Sequence, residues 1–309
     1  MSVYDINGNG LATLFGKDGN AINTAYDKSG NVVYNGQPVQ PLPLNYESYT
    51  TTDLYTYVAN GFNGFDTHGD VIAQLMANNK LYLFNLGNGS TIATAISITS
   101  SHGDSATFSD ENYSEGDEFP LLYCTADTTP AVIYINRITR SSASLVKTLK
   151  FPQSAGYYGA GAFDFENDIC YIVSYKENSY TSDNGGSNKT VVTKWDLSSL
   201  TDNGDGSYTP AYISSFECPF IYVMQGLQFF DGYIWISSGY NNGGNQYIYA
   251  LNPTTHEIDY TITLDDHVEV EGLAWVYDET ENKYWMLIGQ QNGASGINYS
   301  RIEFETASD

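Results

Sequence analysis

Two copies of one tripeptide carry the sharpest chemical signal in this chain: His68-Gly69-Asp70 and His102-Gly103-Asp104. An imidazole and a carboxylate two residues apart, given twice, supply nitrogen and oxygen donors that suit a divalent cation or a polyhydroxylated ligand. His68, His102 and Asp104 are the candidate metal ligands, for a divalent cation such as calcium. No cofactor is required by this reading. Gln225 and Glu271 stand at comparable corners later in the chain and join His68, Asp70, His102 and Asp104 as candidate ligand-binding residues. The competing role is structural: His and Asp at strand starts hydrogen-bond neighbouring backbone and lock a corner.

Aromatic residues add a second signal. Tyr157, Tyr158, Tyr222, Tyr240 and Trp275 fall at corners or loops, and Tyr158 and Tyr240 complete the candidate ligand set. Aromatic faces flanked by Asn, Asp and Gln can hold sugars by stacking plus hydrogen bonds. Tyr82, Tyr123, Tyr171, Trp235 and Trp285 sit inside apolar strands and are expected to pack.

Glycoside hydrolysis would need two carboxylates about 5–10 Å apart across a sugar. Asp70, Asp104, Asp164 and Glu271 are the candidates, but the local contexts associated with glycosidases are absent, and no residue is assigned as catalytic. Gly-x-Ser-x-Gly, P-loop and His-Glu-x-x-His motifs are also absent. The calcium-loop-like run from Asp5 to Gly10 ends in Gly16 where Glu is needed, and Asp202–Gly206 reads as a hairpin tip.

What must position these residues is a repeat. Five segments open with a polar or Gly-containing corner, run into an apolar stretch, turn, and enter a Tyr/Trp-rich strand: 68–72, 102–106, 159–163, 224–228 and 270–274. Reference positions Asp70, Asp104, Gly161, Gly226 and Gly272 are spaced by 34, 57, 65 and 46 residues. A strand-built unit that recurs and cannot bury its own faces must stack on its neighbours, which predicts an all-β, five-bladed β-propeller over residues 46–309. The long steps hold loop-like inserts at 110–118, 178–188 and 201–208. The last unit lacks an outer strand, and residues 50–58 are expected to supply it and close the ring. The innermost strands start near the axis, so the five corners are expected to converge at one mouth of the channel.

Composition narrows the partners. The chain has 309 residues, with 12 Lys plus Arg against 36 Asp plus Glu, a net charge of -24. That balance excludes phosphate-contacting nucleic-acid binding and disfavours an anionic membrane surface. Cys124, Cys170 and Cys218 form no disulfide or metal pattern and read as buried thiols. The start, Met1-Ser-Val-Tyr-Asp, lacks the features of a secretory signal, and no apolar run has membrane-spanning length. The expectation is cytoplasmic synthesis, with virion or extracellular location after lysis.

Residues 1–36 carry a shorter repeat: Tyr4, Phe15 and Tyr26 are spaced by 11, as are Gly8, Gly19 and Gly30. These units read as a small β-hairpin module, too poor in apolar side chains for its own core, followed by a Pro-rich linker at 37–45. Tyr4-Asp-Ile-Asn-Gly-Asn and Tyr26-Asp-Lys-Ser-Gly-Asn resemble modules at the front of tail and prophage structural proteins of Gram-positive bacteria. The repeat with His-Gly-Asp corners and Glu271-Gly272-Leu273 resembles the five-bladed domains of helveticin-type and phage tail-associated proteins. The resemblance implies a non-enzymatic tail or adhesion protein that binds a cell-surface or dietary glycan, with residues 1–36 mediating oligomer or tail assembly. A glycan-cleaving enzyme and a structural spacer are the alternatives.

Overall fold

The computed structural model describes residues 24–26, 32–35, 41–57, 61–101, 105–126, 128–239, 246–264, 269–291 and 296–307. Among these the regular elements are strands and three short 3-10 turns. In the N-terminal segment β1 (Thr24–Tyr26) pairs antiparallel with β2 (Val32–Asn35). The rest of the 1–36 repeat lies outside the described residues. β3 (Leu44–Tyr57) follows and belongs to the end of the ring.

The remaining strands run as four-stranded antiparallel meanders, five in all once β3 is counted. The first blade is β4 (Phe62–His68), β5 (Val71–Met76), β6 (Lys80–Asn85) and β7 (Thr91–Ser97). The second is β8 (Ala106–Phe108), β9 (Leu122–Ala126), β10 (Val132–Ile138) and β11 (Ala143–Lys150). The third is β12 (Tyr157–Asp164), β13 (Ile169–Tyr175), β14 (Thr190–Asp202) and β15 (Ser207–Cys218). The fourth is β16 (Met224–Phe230), β17 (Tyr233–Ser238), β18 (Gln246–Leu251) and β19 (Ile258–Leu264). The fifth is β20 (Glu269–Asp278), β21 (Lys283–Gln291) and β22 (Ile297–Thr306), completed by β3.

Period-2 alternation explains why these blades stack. The inner strands of each blade carry apolar side chains on both faces, and each face needs a neighbouring blade to cover it. Five apolar clusters result, one between each pair of adjacent blades: Leu81 with Leu122, Ile133 with Ile172, Val173 with Ile236, Ile248 with Met286, and Phe84 with Leu287 mark the five seams. The last seam joins blade five to blade one, so the ring is closed. This is a β-propeller.

The closing strand is longer than the sequence suggested. It pairs with β22 from Ile297↔Tyr57 to Thr306↔Leu44, so it begins inside the Pro-rich stretch. Tyr46 secures it, with its ring edge-on to Trp235 at 4.9 Å and its hydroxyl donating to Asp231 Oδ2 at 2.7 Å. The insert at 201–208 is also more than a loop. It extends β14 and β15 into a long hairpin whose outer strand pairs in parallel with β11 at Thr148↔Ser207 and Leu149↔Tyr208, merging blades two and three into one eight-stranded sheet. All three cysteines are buried free thiols.

The first blade starts one strand earlier than the spacing of His-Gly-Asp motifs suggested. Its innermost strand is Phe62–His68, and Gly69-Asp70 is the turn that follows it. Val71–Met76 is the second strand.

Candidate functional site

The innermost strands β4, β8, β12, β16 and β20 meet around the axis without room for side chains between their closest points. A Cβ on Gly226 would lie 2.6 Å from Gly272 Cα, and one on Gly64 would lie 2.5 Å from Ser105 Cα. These small residues let the backbones approach; the residue before each is the one the ring presents at its mouth.

A shared irregularity aims those residues. In four blades the register slips at the start of the innermost strand: between Phe62 and Phe65, Tyr157 and Ala160, Met224 and Leu227, and Val270 and Gly272. A bulge of this kind leaves a residue outside the regular ladder and redirects its side chain. The residues so placed are Asn63, Tyr158, Gln225 and Glu271, and all four line a single cavity of about 310 Å³ at the axial mouth.

The cavity has two walls of different character. One is aromatic, formed by Tyr158, Tyr175 and Tyr180, with Phe62 and Met224 beside it. The other is polar, formed by Asn63, Gln225, Glu269, Glu271 and Gln291. Tyr158 sits at φ +52° and meets Tyr180 edge-on at 5.1 Å. Val223, also a lining residue, sits at φ +41°. Left-handed backbone at a tyrosine and a β-branched residue costs about 1–3 kcal/mol each, and strain of this kind concentrates at binding sites.

Tyr180 reaches the cavity on the insert at 178–188, which Asn188 organises from within. The Asn188 amide donates to the carbonyls of Ser179 (2.8 Å) and Ser182 (2.9 Å), and its oxygen accepts from Glu177 N–H at 3.0 Å. The Val223 N–H donates to Tyr180 O at 3.0 Å, fixing the insert to the start of β16.

The two glutamates are buried in one another's field. Glu269 accepts a hydrogen bond from Gln225 Nε2. Glu271, only 7% exposed, has no hydrogen-bond or ion-pair partner among the described residues. Burial raises the Glu269 carboxyl. Burial, reinforced by the charge of Glu269, holds the Glu271 carboxyl well above the usual carboxylate range. No Lys, Arg or His is among the described lining residues.

Deeper in the channel a second polar layer has the opposite design. Asp66 Oδ2 accepts from Phe108 N–H at 2.7 Å and its Oδ1 from Thr67 N–H at 2.8 Å. Gln228 Nε2 crosses to Ala106 O at 2.9 Å, and its Oε1 accepts from Thr107 Oγ1 at 3.4 Å. Ser105 Oγ donates to Gly161 O at 2.9 Å. Burial still pushes the Asp66 carboxyl up to about 7, against the lowering effect of its backbone donors. This layer plugs the axis below the cavity.

The residues singled out from sequence therefore divide. Tyr158, Gln225 and Glu271 come together in the cavity. His68 and Asp70 do not: they lie at the far end of β4, roughly 20 Å of extended strand from Phe62. There His68 is exposed and packs against Phe108 (5.6 Å) and Phe119 (6.3 Å), while Asp70, in the β4–β5 turn, accepts from Asn85 Nδ2 at the end of β6 at 3.2 Å. The expected convergence of His68 and Asp70 with Glu271 fails because the first corner lies one strand before its His-Gly-Asp motif. His102, Asp104 and Tyr240 lie outside the described residues. No group of three or more His, Cys, Asp or Glu placed to hold a metal occurs among the described residues. Asp164 caps the turn after β12 through Asn167, away from the cavity lining. Trp275 stacks on Phe230 at 4.1 Å inside the seam of blades four and five. Tyr222 borders a separate shallow pocket with Phe220 and Lys189.

Sequence reasoning missed Asn63, Tyr175, Tyr180 and Glu269. Two signals were available: Asn63-Gly64 repeats the polar-Gly pairing of Gln225-Gly226 and Glu271-Gly272, and Glu269 stands two residues before Glu271.

Blade order and site together define the class of protein: a β-propeller with an acidic, aromatic-walled axial cavity. Solved structures with similar architecture include a glutaminyl cyclase from Myxococcus xanthus, 10% identical, with a TM-score of 0.49 over 87% of this chain and 100% of that one. A putative oxidoreductase (glucose dehydrogenase) from Thermus thermophilus is 10% identical, with a TM-score of 0.44 over 83% of this chain and 100% of that one. The Dos1 propeller is 11% identical, with a TM-score of 0.34 over 71% of this chain and 50% of that one. No known family profile matches the chain, and no curated protein matches it in sequence. No helix among the described residues is long and apolar enough to cross a membrane.

Proposed function

We propose that this protein is a non-enzymatic carbohydrate-binding propeller whose site is the axial cavity. One observation carries the reading: the cavity opposes an aromatic wall (Tyr158, Tyr175, Tyr180) to a polar wall of amides and carboxylates (Asn63, Gln225, Glu269, Glu271, Gln291). Sugar rings present an apolar face of C–H groups and an edge of hydroxyls, and such a pair of walls matches both. The volume of about 310 Å³ suits one or two sugar rings at the end of a chain. The Gly-Asn repeats of residues 1–36 support deployment on a phage or prophage tail or as an adhesion component, with that segment joining chains or tail proteins. The partner is then a cell-surface or dietary glycan.

A glycan-cleaving enzyme is the second reading, favoured by one feature: two carboxyls in one cavity, one of them raised well above the usual carboxylate range by burial. A glycan array on the purified protein, run beside a reducing-sugar release assay, separates the readings. The proposal expects retention without release. Release of reducing ends establishes the enzyme, and silence in both assays leaves a structural spacer and overturns the binding role.

A further inference from the structure

We infer that the axial cavity selects a glycan unit bearing a free primary amine, seating its ammonium between Glu269 and Glu271. The inference rests on the carbohydrate-binding reading and names the sugar class within it.

Unmatched charge points to the amine. Glu271 lines the cavity, is more than nine-tenths removed from solvent as a residue, and its carboxyl has no hydrogen-bond or ion-pair partner among the described residues. A buried carboxylate without a partner is costly, and proteins retain one where something else arrives to pair it. Among the described residues, the groups packed around it supply no cation. Its own strand brings Glu269, whose oxygen is taken by Gln225; β4 and β21 bring the amides Asn63 and Gln291; β12, β13 and the 178–188 insert bring Tyr158, Tyr175 and Tyr180. Neutral hydroxyls would bring no charge to the two neighbouring carboxyls. A primary ammonium offers three donors and a full positive charge, which satisfies Glu271, shares Glu269 with Gln225, and removes their mutual repulsion. The three tyrosines then serve twice, stacking on the ring and facing the cation with their π surfaces. The whole-chain charge of -24 concentrates cationic ligands near the mouth and disfavours acidic sugars.

Proton traffic follows from the geometry. Burial and the charge of Glu269 favour the protonated form of the Glu271 carboxyl, and an ammonium seated beside it favours the ionised form, so binding promotes proton release and strengthens as pH rises until the ligand amine itself deprotonates.

The test is isothermal titration of the full chain with four probes: glucosamine trimer, N-acetylglucosamine trimer, cellotriose and propylammonium. The expected result is glucosamine trimer bound at least tenfold tighter than the acetylated or neutral trimers, with affinity that weakens as pH falls from 7 to 5. Glu271→Gln, close to isosteric, abolishes the preference for the amine while retaining the far-UV spectrum. Glu269→Gln provides an independent second variant with the same expected direction. Equal affinity for all three trimers overturns the amine inference and leaves carbohydrate binding standing. Binding of propylammonium with no trimer bound retains the cation seat but removes the carbohydrate reading on which the inference rests. No binding by any probe overturns both.

Discussion

The channel of this propeller contains two layers of buried acid that share a ring yet differ in every respect that matters. In the lower layer Asp66 receives two backbone N–H donors, and Gln228, Thr107 and Ser105 close their hydrogen bonds across neighbouring blades. In the upper layer Glu271 receives none among the described residues, and the space beside it is a cavity. Burial alone does not separate them, since Asp66 and Glu271 are 8% and 7% exposed. The difference lies in the donors: where backbone N–H groups point at the acid it locks blades together, and where they do not it is available to a ligand.

The comparison is broken most forcefully by Asp66→Ala. It strands the buried Phe108 N–H and removes the hydrogen bond that Asp66 makes from β4 to β8. Loss of about 3 kcal/mol of stability is expected by chemical denaturation. A change below about 1 kcal/mol would remove the distinction between lock and site.

Gly226→Ala tests the ring that holds both layers. Its new Cβ would meet Gly272 Cα at 2.6 Å, a backbone atom that cannot swing aside. A cost of about 2 kcal/mol is expected, read as a lower denaturation midpoint.

Glu271→Gln has the opposite sign. The wild-type carboxyl titrates above the ordinary glutamate value of 4.5 when folded. The folded state therefore holds a proton that the unfolded chain has already lost. Its contribution to stability is present below about pH 4.5 and is lost as pH climbs through the folded value. The glutamine variant should match wild type near pH 4.5 and melt a few degrees higher at about pH 8. A variant less stable than wild type at that higher pH would mean that Glu271 is a lock like Asp66.

Smallest of all is Tyr180→Ala. Tyr180 is 43% exposed and its ring meets Tyr158 edge-on. Stability should change by less than about 1 kcal/mol, while affinity for a bound sugar falls about fivefold, read by titration. A large stability loss with unchanged affinity would make the aromatic wall ordinary packing.

How much of this was legible in the sequence follows from the kind of signal each feature leaves. Blade four is readable almost strand by strand, because Asp231-Gly232 and Asn252-Pro253 punctuate it and period-2 apolar runs fill it. Ring closure by the segment before the first blade is readable from a missing strand at the other end. The first blade is easily misplaced, because His68-Gly69-Asp70 mimics the corner of later blades while the true equivalent, Asn63-Gly64, carries no conspicuous chemistry. Glu271, Gln225 and Tyr158 stand out because they precede a glycine or begin an inner strand. Tyr180 does not, because it arrives on an insert whose shape depends on Asn188 bonding inside it. The unpartnered state of Glu271 is beyond any sequence pattern, since it depends on which donors the bulges leave out.

The most direct measurement of the central claim is a crystal structure of the protein grown with glucosamine trimer. Sugar density is expected in the axial cavity, with a ring over Tyr158 or Tyr180 and the amine nitrogen within about 3 Å of a Glu271 carboxylate oxygen. Density for the trimer on an outer blade face, with the axial cavity filled by water alone, would contradict it.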